Sequence, residues 1–490
     1  MPKRSQKSSI SNITIKEVCD TLFSLEEKYD LNQMKIQGVY AWQLVRIYVY
    51  YEISRKIGVF GSPQQAKVTI IDKILSFLPF IKNSLFSNPL KGDHHRDILI
   101  FDHPRKVNHC EEFKDIYSYF LRDDLGGEYS YEIIETPYLN KHLTKKENYI
   151  KYNDRILLGS YFYKKRTNLQ LKASEKDKIA NIQREINSNF NIDIDLLNII
   201  KNHILDFEYQ YKKYDQLFKK RTPKYIFVVV AYENQAMIAA AKDNDIKVIE
   251  LQHGTISKYH LGYNYPNEKD KNNIKYFPNK ILSFGSYWKE VANYPTSSED
   301  IIPIGFPYLD ENIKSYLNIE KNRNQILFIS QGVIGKYLSE FAYNIAKKLE
   351  DFKENYTFIY KLHPGEYSNW RDNYSYLKKC ENLANFHIVD NEEASLYELF
   401  SKSEYQVGVF STAIYEGLLF NCKTFILDLP GSEYMDSLVE KKHVKKIVTA
   451  HEFIDSLSNF KINRYDKDFF FKKYNKSTLN KLIKNNYSFF

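Results

Sequence analysis

Residues 224–254 read KYIFVVVAYENQAMIAAAKDNDIKVIELQHG. A short unbroken apolar run rich in Val and Ile, covering 225–231, is the pattern of a parallel strand covered on both faces. QAMIAAAKDND follows, dense in residues that favour a helix, with the helix start placed near Asn234. IKVIELQHG then reads as a second buried strand that ends in polar residues and a glycine. Strand, helix and strand in this order make a parallel βαβ unit, the building block of a doubly wound sheet.

The same unit recurs on both sides. Upstream, DILIFDHPRK (97–106) and YEIIETP (131–137) read as strands, and 174–221 as long helices rich in Lys and Glu. Downstream, NKILSFG (279–285) and DIIPIGFP (300–307) close the first series. The alternation then restarts with QILFISQG (325–332), a helix over 334–350, YTFIYKLHPG (356–365), EYQVGVFSTAIYEGLLF (404–420), KTFILDLPG (423–431) and a last helix near 450–459. The expected class is α/β with two Rossmann-like domains. The boundaries are a helical N-terminal region over 1–95, a first Rossmann-like domain over 96–310, a second over 311–465, and a helical tail over 466–490 that crosses back to the first. The first twelve residues read as a disordered basic tail. Residues 67–89 read as a core helix pair or as an amphipathic element lying on a membrane.

Length and composition agree with this plan. A chain of 490 residues, 43% hydrophobic, supports two or three domains with real cores. The net charge of +9 is mild, and the lysines are spread along the chain with acids among them. That distribution argues against nucleic acid as a partner and suits anionic substrates or an anionic membrane face. Cys19, Cys110, Cys380 and Cys422 are far apart and offer neither a zinc spacing nor a disulfide framework, as in a reducing cytoplasm. The polar N-terminus has no signal-peptide core, and no apolar run is long enough to span a bilayer. The expected place is therefore the cytoplasm, with peripheral contact at the inner face of its membrane.

Ligands of doubly wound sheets bind outside the carboxyl ends of the strands, and the unusual polar residues fall there. LQHGT (251–255) puts His253 at a tight turn made by Gly254, where imidazole can accept a proton or contact a phosphate. KLHPGE (361–366) holds His363 before Pro364, which fixes the backbone, with Lys361 two residues earlier on the same side. VFSTAIYEGL (409–418) places Ser411 and Thr412 at a helix start, where free N–H groups and the helix dipole favour an anion. Glu416 lies one turn further in, positioned to accept hydrogen bonds from ribose hydroxyls. SQG (330–332) ends a strand with Gly332, which lets a loop approach a ligand. No GxxxxGK[ST], GxGxxG after a strand, GxSxG or HExxH is present, which speaks against ATPases, dehydrogenases, hydrolases and metalloproteases.

The order HG, HP, then a Ser/Thr pair before a helix resembles a broad group of bacterial glycosyl- and glycerophosphotransferases. The group includes the sialyl- and polysialyltransferases, the Kdo transferases of capsule synthesis and the teichoic-acid glycerophosphotransferases. The resemblance covers roughly residues 225–430 and implies a GT-B fold, a cytidine-nucleotide donor and no cofactor. By resemblance, His363, Ser411 and Thr412 bind the donor phosphate, and His253 is a base or a phosphate contact. The implied activity is metal-independent direct displacement. The implied donor is a CMP-linked acidic sugar, such as sialic acid or Kdo, and the implied acceptor a capsule, O-antigen or lipid-linked glycan. The sialyltransferases also carry an acidic motif with their base, and this sequence has no clear copy of it. Glu233, Asp102 and His253 remain the candidates. No DxD-type metal motif is well placed, since DID at 193–195 lies in the helical, Lys-rich segment. A UDP- or GDP-sugar donor, a nucleotide-sugar 2-epimerase and a non-catalytic assembly scaffold are the alternatives. Arg105, Lys106 and Tyr138 read more readily as surface or packing residues than as an acceptor site.

Overall fold

The computed structural model describes residues 13–59, 70–109, 111–138, 141–316, 318–350 and 355–484. The basic tail over 1–12 and Cys110 lie outside them. A first sheet holds β1 (Ile98–Phe101), β2 (Tyr131–Glu135), β3 (Ile150–Tyr152), β4 (Tyr225–Val229), β5 (Lys247–Leu251), β6 (Lys280–Ser283) and β7 (Ile301–Pro303). A second holds β8 (Asn322–Ile329), β9 (Thr357–Lys361), β10 (Phe386–Val389), β11 (Ser403–Gly408), β12 (Lys423–Leu427) and β13 (Lys445–Ile447). Every pairing in both sheets is parallel. Their orders are β7-β6-β5-β4-β1-β2-β3 and β10-β9-β8-β11-β12-β13. Each domain thus winds outward from its first strand, reverses, and opens a crevice between its first and fourth strands, where such sheets bind ligands. The central strands are buried on both faces, as in YIFVV of β4, and this is why they read as continuous apolar runs. β3, β10 and β13 were not legible in the sequence because they are short edge or near-edge strands with mixed faces.

The helical layer is broader than the N-terminal 95 residues. Helices α1 (Ile15–Tyr29) and α2 (Ala41–Ile57) share one core with α5 (Ala173–Phe190) and the first half of α6 (Leu196–Arg221). The long Lys- and Glu-rich stretch reads as surface by composition. Its Ile179, Ile182, Ile186 and Ile200 are nevertheless buried at helical spacing against α1 and α2. A buried ion pair ties this layer to the first domain. Arg46 Nε donates to Glu26 at 2.8 Å, and the same guanidinium donates to the carbonyls of Leu261 and Asn264. Breaking such a pair costs about 3–5 kcal/mol, so α2 anchors the loop after the HG turn. Between these helices lie α3 (Ile70–Phe86) and α4 (Asp154–Arg166), which pack against each other. Residues 70–86 therefore form one helix through Pro79, not a helix pair.

The C-terminal segment returns to the first domain. The Lys472 amide donates to the Phe284 carbonyl at 2.7 Å, and Leu479 and Ile483 are buried in the first-domain core beside β1 and β4. Gly305 makes this crossing feasible. Its φ is +98°, and a Cβ there would lie 2.2 Å from the Lys472 carbonyl oxygen. Helix α7 (Gln235–Asp243) sits between β4 and β5 as the sequence requires, and α8 (Thr412–Leu419) follows β11. One hydrophobic cluster runs across both halves, from Ile281 and Trp288 to Leu327, Tyr415 and Ile426, so the domains pack as one body around the cleft.

Candidate functional site

The carboxyl ends of the two sheets face each other. The Thr255 hydroxyl, just after β5, stands 3.4 Å from the Thr412 hydroxyl at the start of α8. A Cβ on Gly254 would lie 3.9 Å from the same hydroxyl. The HG and Ser-Thr motifs, far apart in sequence, are thus in contact across the cleft.

On the second-domain rim, Ser411 is the N-cap of α8, and its Oγ accepts from the Ala413 amide at 3.2 Å. The Ile414 amide donates to the Ser411 carbonyl at 3.1 Å, so the Thr412 amide at the head of α8 is the one these two bonds leave for an anion. His363 caps the turn Pro364–Glu366, its Nδ1 accepting from the Gly365 amide at 3.1 Å. The buried Glu366 holds this region together. It accepts from the His363 amide at 2.6 Å, the Ser330 hydroxyl at 2.9 Å and the Tyr374 hydroxyl at 2.7 Å. This role has no sign in the sequence, because a carboxylate after HPG carries no local mark of a buried bracket. Burial and the nearby Arg105 guanidinium push the His363 imidazole below its ordinary value, so it is neutral and able to donate one N–H.

Lys361 and Gly332 have further contacts on this rim. The Lys361 ammonium does not stand free beside His363; it donates to the Tyr367 hydroxyl at 2.7 Å and to the Asn391 carbonyl. Lys361 pairs in register with Val389 at the end of β10, which brings the Asn391 loop to it first. Gly332 ends the SQG turn as expected, but a Cβ there would make only ordinary contact with Glu366 at 3.7 Å, so close packing does not demand glycine. Glu416 faces the cleft beside Tyr397, Tyr308 and Tyr117, and burial raises its carboxyl to about 7.

On the first-domain rim, His253 sits within an aromatic cage. His103 stacks on it with centroids 6.0 Å apart, and Tyr117 and Tyr232 approach at 6.2 and 6.0 Å. The Tyr232 hydroxyl lies 3.4 Å from its Nε2, and its buried Nδ1 has no hydrogen-bond partner among the described residues. Burial, then the neighbouring His103 and His260, lower its pKa to about 3. The other two base candidates are placed differently. Asp102 is buried and paired with Lys106 of the same loop, which also donates to the His103 carbonyl at 2.7 Å. The i,i+4 spacing in DHPRK brings this ion pair together, and the other carboxylate oxygen, Oδ1, is buried with no hydrogen-bond partner among the described residues. Glu233 ends a short turn after β4, and its carboxylate faces Tyr48 and Tyr51 of α2, with burial raising its pKa. It borders the helical layer and not the phosphate rim. His103 and Tyr232 are the residues that sequence reading missed, since they gain meaning only beside His253, while Arg105, which reads as a surface or packing residue, lies close enough to His363 to lower its pKa. Among the described residues, no group of three or more His, Cys, Asp or Glu is arranged to hold a metal ion.

Two Rossmann-like sheets whose carboxyl ends meet over HG, HP and Ser-Thr turns have the GT-B design of a group transferase. Residues 176–423 match the family of CDP-glycerol:poly(glycerophosphate) glycerophosphotransferases, and the chain belongs to that family. An uncharacterised protein of Methanocaldococcus jannaschii is 31% identical over 160 residues, which cover 31% of this chain and 27% of that protein. The match therefore spans well under half of that relative. Among solved structures, the UDP-GlcNAc 2-epimerase of Methanocaldococcus jannaschii aligns with 79% of this chain and 99% of its own, at 12% identity and a TM-score of 0.47. The wall teichoic acid polymerase TagF aligns with 80% of this chain and 89% of its own, at 14% identity and a TM-score of 0.39. At scores this low these likenesses add nothing to the architecture read from the sheets themselves. Membership in the glycerophosphotransferase family does not single out the CMP-sialic acid or Kdo type implied by the motif order.

Proposed function

We propose that this protein transfers a polyol-phosphate unit from a CDP-linked donor to a hydroxyl of a cell-surface glycan. The observation that carries the reading is the contact of the HG turn with the Ser-Thr helix start, which supports a proton acceptor at His253 working beside an anion at Ser411 and Thr412. The acceptor oxygen attacks the phosphorus that bears the polyol. The new O–P bond forms, the bond to the bridging oxygen breaks, and cytidine monophosphate leaves. His253 takes the hydroxyl proton. With a pKa of about 3 its imidazole is neutral but a poor base; a bound anionic donor raises its pKa toward the working range. His363, the Thr412 amide at the head of α8, Ser411 and the Thr412 hydroxyl stabilise the departing phosphate, and Arg105 reaches the same charge from the opposite rim.

A thermal-shift panel of CDP, CMP, UDP and GDP tests the donor. Stabilisation by CDP and then turnover of CDP-glycerol support the reading. Stabilisation by UDP or GDP alone overturns it, and CMP alone redirects it to the CMP-linked acidic sugar. Isomerisation of a donor incubated without acceptor, followed by NMR, would instead mark an epimerase.

The reading extends to a lipid-bilayer surface as the place of work. No helix among the described residues is long and apolar enough to cross a membrane. α3 exposes Leu78, Ile81, Leu85 and Phe86 at helical spacing, and the neighbouring α4 exposes Tyr161 and Phe162 beside Lys165 and Arg166. Such a surface fits a monotopic contact. Co-sedimentation with anionic vesicles, lost on Leu85→Ser with Phe86→Ser, is the expected result; equal binding by both proteins refutes this surface.

A further inference from the structure

A groove of about 1090 Å³ lies at the amino ends of β5, β6 and β7, at the far end of the first sheet from the cleft. α6, α7 and the 271–279 loop form its walls. A second hollow of about 300 Å³ shares Lys271, Pro295 and Thr296 with it, so the two adjoin. Lysines and tyrosines line the larger part, notably Lys212, Lys242, Lys275, Tyr211 and Tyr276.

The charges in this groove are unevenly matched. Among the described residues, no ion pair joins Lys212, Lys242 or Lys275 to a carboxylate. Lys242 is half-buried, donates only to the Lys275 carbonyl at 3.0 Å, and is pushed down to about 8 by burial and by Lys275. Of the acids of the walls only Asp300 is ion-paired, and the others accept hydrogen bonds from neutral groups and keep their charge. Asp243 accepts from the Tyr211 hydroxyl at 2.7 Å, Asp300 from Lys280 at 2.6 Å, Glu208 from the Tyr163 hydroxyl at 3.2 Å, and Glu268 from the Asn273 amide at 2.9 Å. A partly desolvated cation without a counter-charge is unfavourable, and an anion in the groove relieves it.

We infer that this groove binds the earlier units of the anionic polymer whose end is extended in the cleft. A groove of this size with a second hollow adjoining it suits a chain better than a single small ligand. Spaced lysines suit its repeating phosphates, and the tyrosine rings suit its polyol or sugar units. The identity of the polymer rests on the proposed function; the anion site does not.

The test is equilibrium binding of fluorescent oligo(glycerol phosphate), short and long, to the full chain without donor. The long oligomer is expected to bind more tightly than the short one. Lys212→Gln, Lys242→Gln and Lys275→Gln together should weaken the long oligomer by about tenfold or more and lower the slope of log K against log salt by roughly one per lysine. The short oligomer should bind the triple variant unchanged, and unchanged thermal unfolding shows that the variant is folded. Equal binding of the long oligomer by wild type and variant overturns the inference. So does competition by neutral dextran as strong as by the oligomer, or binding of anionic vesicles with no binding of the oligomer. Because no donor or turnover enters, a groove that binds in a protein lacking CDP-glycerol activity would sink the proposed reaction and leave this site standing.

Discussion

The Thr255 and Thr412 hydroxyls lie 3.4 Å apart, the one after β5 and the other at the head of α8. A donor phosphate bound at the head of α8, as proposed, would be within reach of groups from both domains.

Thr412→Val keeps the shape of the side chain and removes the hydroxyl. The expected outcome is weaker CDP binding by about tenfold, or about 1.4 kcal/mol, measured by calorimetry, with little change in Tm. A drop in Tm with unchanged affinity would make the contact interdomain packing alone.

His363 and Glu366 should separate cleanly. His363→Ala is expected to lower kcat/KM by about 10²–10³ with stability retained, as for the loss of one charge-stabilising donor. Glu366→Ala strands the His363 amide and the Ser330 and Tyr374 hydroxyls, and should cost roughly 1–3 kcal/mol as well as activity. Denaturant unfolding beside steady-state kinetics distinguishes the two.

His253 carries a kinetic and a thermodynamic expectation. His253→Ala should reduce kcat by about 10²–10⁴. Its folded pKa of about 3 lies below the ordinary histidine value of about 6.5, so the unfolded chain binds more protons between them. Stability therefore falls as pH drops through that window. His260, lowered to about 4, acts in the same direction. Replacing His253 with Gln should flatten the decline of Tm from pH 6.5 to 4; an unchanged slope would refute the buried neutral imidazole.

Glu250 titrates with the opposite sign. It is fully buried in β5, accepts from the Tyr263 hydroxyl at 2.6 Å and the Ala231 amide at 3.0 Å, and burial raises it to about 7. The folded state holds its proton longer than the unfolded one, so this group costs stability as pH rises from the ordinary glutamate range through 7. Glu250→Gln should gain stability over wild type at pH 8, by at most about 3 kcal/mol, and the gain should vanish near pH 4.5. Urea midpoints at the two pH values check this.

Much of the scaffold was legible because buried parallel strands leave continuous apolar runs, and because HG, HP and Ser-Thr end such runs. Lys361 and Asp102 show where that reading stops. Spacing placed each at a strand end, but which neighbour each would meet depends on the Asn391 loop and on Lys106, and no periodicity encodes those meetings. Glu366 was invisible as a bracket for the same reason: its three partners come from separate segments.

The amino-acid sequence by itself determined the two doubly wound sheets and the strand ends at which His253, His363, Ser411 and Thr412 stand, because hydrophobic period and turn chemistry are local. Tertiary structure alone decided that the HG turn touches α8, that His103 and Tyr232 enclose His253, and that Lys106 pairs with Asp102. It also decided that lysines from α6, α7 and the 271–279 loop share one groove. These are contacts between distant segments, set by how whole elements pack and by which buried charges find partners.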